Sequence, residues 1–234
     1  MEATVSGHVA EIRKRIEAAA SRAGRSALEV RLMAVTKTVE DKRILEAIQA
    51  GIGILGENYV QEAKRKIELM GHAAEWHLIG HLQTNKAKYA VRLFDMIHSV
   101  DRLEVAEELD KRCAAVGRIM KILIEVNVSG EMTKRGMEPQ RILSMAHQLA
   151  SMKNLSVQGL MTMAPWADDP EETRPCFRAL RQLRDRIGEA GIPGITMKEL
   201  SMGMSEDYEV AVEEGATIVR IGRSIFGERM PRSA

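Results

Sequence analysis

Aromatic side chains are scarce in this sequence: two Trp, three Tyr and three Phe among 234 residues. Aliphatic side chains and 15 methionines must therefore fill whatever core it builds. Cysteine is nearly absent as well. Cys113 and Cys176 lack metal-ligand spacing and both fall in helix-patterned segments, which reads as free thiols in a reducing compartment. An excess of one charge sign is also missing, with 34 basic against 33 acidic residues and a formal net charge of +1. That balance argues against nucleic acid or an anionic membrane as the main partner. No uncharged apolar run approaches membrane-spanning length, and Glu11, Arg13, Lys14, Arg15 and Glu17 exclude a signal-peptide core from the first helical stretch. Elimination leaves a cytoplasmic location. Linkers and low-complexity tracts are lacking too, and the one Pro/Asp-rich interruption is 164–173, so a single domain over 1–234 is expected.

What is present is a rhythm. With 45% hydrophobic and 29% charged residues the chain can bury a sizeable core. Val5, Val9, Ile12, Ile16 and Ala19 or Ala20 predict an amphipathic helix over 4–24, closed by Gly24. Short apolar, β-branched runs then alternate with longer helix-periodic segments. Strands are predicted at 30–37, 54–59, 75–80, 96–100, 121–128, 155–163, 197–203 and 217–222. Between them lie helical patterns at 41–50, 58–70, 102–116, 139–152, 171–190 and 206–214, and the connector 84–94 has room for about three turns. Eight consecutive βα units match a closed (β/α)₈ TIM barrel, here with an additional N-terminal helix, better than an open doubly wound sheet.

In such barrels the chemistry gathers at the C-terminal strand ends. The run LMAVTKT delivers Lys37 there, and a buried strand has no packing reason to finish on an ammonium group. Strand 2 delivers Glu57, Asn58 and Tyr59, and strand 3 delivers His81 and Gln83. SMGMSED and RIGRSIFG follow strands 7 and 8, where barrels commonly hold phosphate. Gly203 and Gly222 let backbone approach a ligand, Ser205 can cap the helix 206–214 while facing an anion, and a short helix 224–227 offers N–H groups. Each feature also has a plainer role. The glycines serve tight turns, Ser205 and Asn58 serve as helix caps, His81 as a hydrogen-bonded structural histidine, and Met161, Met163, Met202 and Met204 as packing. Lys37 and Arg220 resist such readings. A desolvated lysine exposes a nucleophilic amine suited to a Schiff base with an aldehyde, and Arg220, within VRIG, points into the barrel. A phosphate cradle, an amine and a buried arginine suit pyridoxal 5′-phosphate (PLP).

The motifs AVTKT, GENYVQEAKRK, WHLIGHLQTNKAKYA, HSVDRLEVAEEL, EVNVSGEMTKRGM, GLMTMAP and LSMGMSEDYEVAVEEGATIVRIGRSIFGER, spread over about residues 5–229, resemble the pyridoxal phosphate homeostasis proteins of the YggS/PROSC type. The resemblance implies an alanine racemase N-terminal-domain barrel, PLP fold type III without the C-terminal β-domain, in a cytoplasmic carrier or buffer of the cofactor, with apo PLP-dependent enzymes as candidate recipients. No heptad or apolar surface stripe demands an oligomer, so a monomer is expected. It assigns Lys37 to the Schiff base, Asn58 to the ring hydroxyl, Ser205 with the Gly222–Arg223 backbone to phosphate, and Arg220 to the ring nitrogen. Arg223 stands where the family commonly has threonine.

An arginine at the ring nitrogen keeps its proton, leaves the pyridine unprotonated and makes a poor electron sink, so a holder is expected. Two rivals stand beside it: a PLP-dependent amino-acid racemase of low activity, with His81 or Tyr59 as second base, and a phosphosugar enzyme with Lys37 as Schiff base and Glu57 as acid–base partner. Lys134 and Arg135 after strand 5 offer guidance for an anion, or simply a solvated basic turn.

Overall fold

The computed structural model describes residues 4–131 and 135–227, so Lys134 and the last two residues of the RIGRSIFGER motif lie outside the described residues. Eight parallel strands close into a barrel in chain order: β1 (Arg31–Val35), β2 (Ile54–Glu57), β3 (Glu75–Leu78), β4 (Met96–Val100), β5 (Met120–Glu125), β6 (Leu155–Met161), β7 (Ile195–Ser201) and β8 (Ile218–Ile221). Every strand predicted from the apolar runs is present, with ends shifted by a few residues. The helices are α1 (Val5–Arg22), α2 (Asp41–Gln49), α3 (Val60–Met70), α4 (Ala87–Leu93), α5 (Leu103–Val116), α6 (Ile142–Leu149), α7 (Arg174–Glu189), α8 (Tyr208–Glu213) and α9 (Arg223–Phe226). α1 is the additional helix, and it packs against α2, α8 and α9 on the outside of the barrel. Gly24, at φ +66°, follows its C-cap Ala23 as the sequence suggests.

Alternation along the strands sorts the side chains. Ala34, Leu55, Trp76, Ile97, Ile122, Leu160 and Val219 face outward into the main core, between the sheet and its helices. Their neighbours point into the barrel, where Met33, Ile54 and Ile218 form one apolar cluster and Met96, Leu123 and Met161 another. The interior also holds polar residues: His77, His98, Ser201 and Arg220 are all buried. β6 carries a bulge at Gly159, where an added Cβ would lie 1.9 Å from the Glu199 carbonyl oxygen. Of the four methionines expected to pack, Met161 and Met202 are buried, whereas Met163 is exposed in the loop after β6, because the strand ends two residues before it.

Candidate functional site

Lys37 stands two residues beyond β1, in a turn whose flanks are clamped from α3. The Lys66 ammonium donates to the Thr36 carbonyl at 2.6 Å, to Glu57 Oε1 at 2.6 Å and to Glu62 Oε1 at 2.8 Å. The Thr38 N–H donates to the same Glu62 oxygen at 2.7 Å, and the Thr36 hydroxyl donates to Glu57 at 2.6 Å. Thr38 has φ +63°, and it is the only non-glycine residue with positive φ among the described residues. A β-branched residue resists that conformation, so the clamp holds strained backbone next to Lys37. Lys66 and Glu57 are fully buried. Burial pushes the Glu57 carboxyl upward, and Lys66 and Thr36 pull against it. Glu57 is thus committed beneath the turn, which removes it as an acid–base partner at the mouth.

The register sets this lysine between two neighbouring strands. Val35 pairs with Gly56, and Ala34 pairs with Ile221, so the chain after β1 runs between the ends of β2 and β8. Lys37, Thr38, Gly222 and Arg223 line one cavity of about 200 Å³. Asn58, Ser205 and Arg220 do not line it, though each stands on the adjoining strands or loops. The α3 N-cap is Tyr59, without a side-chain cap bond, so Asn58 is not the cap that the sequence allowed. Its Oδ1 is instead buried with no hydrogen-bond partner, an acceptor open to a ligand hydroxyl.

The phosphate-type loops meet, but by a different device from the one expected. α8 begins at Tyr208 with Asp207 as N-cap, and Asp207 Oδ1 accepts from the Met204 N–H at 2.6 Å. Ser205 therefore does not cap that helix. Its hydroxyl accepts from the Ser224 N–H at 3.2 Å, tying the loop after β7 to the first turn of α9. Gly203 needs its glycine: φ is +90°, and a Cβ would lie 2.5 Å from that of Ala211. Gly222 does not, since φ is −116° and a Cβ would meet Val35 at an ordinary 3.5 Å. What a side chain there would do is fill part of the Lys37 cavity. The Arg223 guanidinium pairs with Glu206 Oε1 at 3.1 Å.

Arg220 is 3% exposed, inside the barrel as its position in VRIG implies. It donates to Ser201 Oγ at 2.7 Å and to the Thr162 carbonyl at 2.8 Å. Burial lowers its pKa to about 10, opposed by Asp207 and Glu125, so it remains a cation near neutrality. Sequence reasoning missed Glu125, the last residue of β5. Burial first, and repulsion from Asp101 second, raise its carboxyl to about 7, against Arg220 and Arg135. The signal was available: an acidic residue closing the apolar run 122–124, as Lys37 follows another apolar run. Lys66, Asp207, His77 and His98 were also missed. Of the second-base candidates, Tyr59 is 61% exposed. His81 Nδ1 is 3.6 Å from Asp101 Oδ2, too long for a hydrogen bond. Among the described residues, no cluster of His, Cys, Asp and Glu suits a metal, and no helix is long and apolar enough to cross a membrane.

Comparison with known proteins agrees with this architecture. The family described as alanine racemase, N-terminal domain, matches residues 8–230. A pyridoxal phosphate homeostasis protein of Aquifex aeolicus is 44% identical over 222 residues, covering 94% of this chain and 96% of its own. The Escherichia coli K12 protein of that name is 38% identical, covering 96% and 97%. The solved structure of PipY of Synechococcus elongatus with PLP bound has a TM-score of 0.84 at 34% identity, covering 96% of this chain and all of its own. An alanine racemase of Corynebacterium glutamicum, 16% identical with a TM-score of 0.69, shares the barrel fold; this chain covers 62% of it.

Proposed function

This chain belongs to the pyridoxal phosphate homeostasis protein family, built on the alanine racemase N-terminal-domain barrel, and from that premise we propose that it binds pyridoxal 5′-phosphate reversibly as a carrier or buffer. The observation that carries the reading is the clamped turn: a lysine beside strained backbone at Thr38, its flanks held by α3, opening on a cavity shared with Gly222 and the start of α9. The donor set fits the ligand. The Lys37 amine adds to the aldehyde carbon and, with loss of water, forms a Schiff base. Asn58 has an unpartnered acceptor for the ring hydroxyl, Ser205 and the Gly222–Arg223 backbone serve the phosphate, and Arg220 supplies a fixed cation at the ring nitrogen. Bound PLP would contribute its aldehyde and its electron-withdrawing ring; the residues of this chain hold and orient it.

Holding rather than turnover follows from two features. A cationic arginine at the ring nitrogen gives no proton to the ring and weakens it as an electron sink. Neither candidate for the second base that racemisation needs is held in place: Tyr59 projects into solvent, and His81 Nδ1 has no hydrogen bond to orient its ring. The same reading makes the chain one domain over 1–234, monomeric and cytoplasmic, with apo PLP-dependent enzymes as recipients.

The test is the absorbance spectrum of the protein after addition of PLP, followed by borohydride reduction and peptide mapping beside Lys37→Ala. A yellow protein whose reduced adduct maps to Lys37, and whose cofactor an apo-enzyme removes, supports the carrier. Absence of colour removes the proposal, and sustained racemisation of alanine or serine replaces it with the low-activity racemase.

A further inference from the structure

Arg220 is one end of a chain of hydrogen bonds that crosses the barrel. From Ser201 Oγ the chain continues to His98 Nδ1 at 3.0 Å, from His98 Nε2 to His77 Nδ1 at 3.0 Å, and from His77 Nε2 to Glu75 Oε2 at 3.2 Å. Ser201, His98 and His77 are buried, whereas the Glu75 side chain is 51% exposed. Glu75 opens β3 at the N-terminal mouth and Arg220 faces the C-terminal mouth, so four bonds connect the two ends of the barrel.

The direction of every bond follows from the two ends together with neutral, buried imidazoles between them. Arginine only donates, so Ser201 Oγ accepts from it and keeps one proton to give. An ionised carboxylate only accepts, so His77 Nε2 must carry a proton. The hydrogen bond from His77, opposing burial, holds the Glu75 carboxyl below its ordinary range, which keeps it ionised. His77 Nδ1 then accepts, His98 Nε2 donates to it, and His98 Nδ1 accepts from Ser201. With Glu75 ionised, the reversed chain would require an imidazolium at His77, and burial disfavours that charge. Two neutral imidazoles, each with its proton on Nε2, complete the chain in the forward direction. Burial lowers both pKa values, and His98 is further opposed by His77, Arg220 and Arg31.

We propose that Ser201, His98, His77 and Glu75 are positioning residues: a one-way donor relay that orients the Arg220 guanidinium and makes the ligand site sensitive to an acceptor at the opposite mouth of the barrel. The relay itself requires no ligand. Its influence on cofactor binding rests on the proposed placement of PLP against Arg220. An inward-facing polar row is expensive in a barrel core unless its members are satisfied, and here every ring nitrogen and the Ser201 hydroxyl has a hydrogen-bond partner.

The test uses ¹⁵N-histidine-labelled protein without added cofactor, with resonances assigned by His77→Gln and His98→Gln, and Glu75→Leu as the perturbation at the half-exposed end. Both rings should show the neutral Nε2–H pattern between about pH 6 and 8, and Glu75→Leu should shift His77 and, through it, His98. An Nδ1–H tautomer or an imidazolium on either ring, or a His98 signal indifferent to Glu75→Leu, overturns the relay. In a second arm, Glu75→Leu should weaken PLP binding about threefold to tenfold, the range of one hydrogen bond in a coupled chain. Glu75→Gln, which keeps an acceptor, should restore it. Unchanged affinity in Glu75→Leu refutes the coupling. A wild-type protein that takes up no PLP refutes the proposed function instead, with the relay then judged by the histidine spectra.

Discussion

Glu125 gives the sharpest test of the site's electrostatics. Its carboxyl is 3% exposed at the end of β5, and burial together with Asp101 raises it from an ordinary 4.5 to about 7. The folded protein therefore binds a proton that the unfolded chain has already released between those values. Stability contributed by this group is present at low pH and is lost as pH rises through the window, because stability falls with pH wherever the native state holds more protons. At about 1.4 kcal/mol per pH unit, the loss above pH 7 is on the order of 3 kcal/mol. Glu125→Gln keeps shape and polarity and removes the titration. Urea unfolding of the cofactor-free protein should show the variant close to wild type near pH 5 and more stable by up to about 3 kcal/mol near pH 8. Other titrating groups are common to both proteins and cancel in the difference. A difference that does not change with pH would refute the reasoning, since it would mean that Glu125 titrates alike in both states.

Three further outcomes follow from the same geometry. Lys66→Met should cost about 3–5 kcal/mol by leaving Glu57 buried and unpaired, and adding Glu57→Gln should recover much of it; a small loss in the urea midpoint of the single variant would show that the clamp does not hold the Lys37 turn. Gly203→Ala should lower the melting temperature strongly, through its positive φ and the contact with Ala211, whereas Gly222→Ala should fold normally and bind PLP more weakly; equal melting losses would contradict the distinction. In the Glu125→Gln background, where the opposing carboxyl is gone, stability should fall as pH drops below about 6.5, because unfolded histidines take protons that buried His77 and His98 refuse. A flat urea midpoint between about pH 7 and 5 would exclude that.

The order of elements could be read from local pattern alone, since a strand buried on both faces and an amphipathic helix leave different periodicities in a linear chain. All eight strands were recoverable in this way, and so were Lys37 and Arg220, because a charged residue at the end of an apolar run is anomalous without reference to any neighbour. The bounds of α8 were not, and with them went the role of Ser205: whether a hydroxyl caps its own helix or reaches another depends on how two loops approach, which no spacing records. The same holds for Asn58, an apparent cap whose amide oxygen is left unpartnered, and for Gly222, whose value lies in the space it leaves beside Lys37 rather than in its backbone angle.

The sequence fixes which residues face inward, because alternation along a strand is a local property. Arg220 was legible as an inward residue on that basis, whereas His77, His98, Ser201 and Glu125, which occupy inward positions too, were passed over. Which of them touch was settled only when the barrel closed. Closure sets strands far apart in the chain side by side, so that His98 meets Ser201 103 residues later and a carboxylate at one mouth is joined to a guanidinium at the other. Hydrogen bonds act over about 3 Å, and at that range sequence distance carries no information.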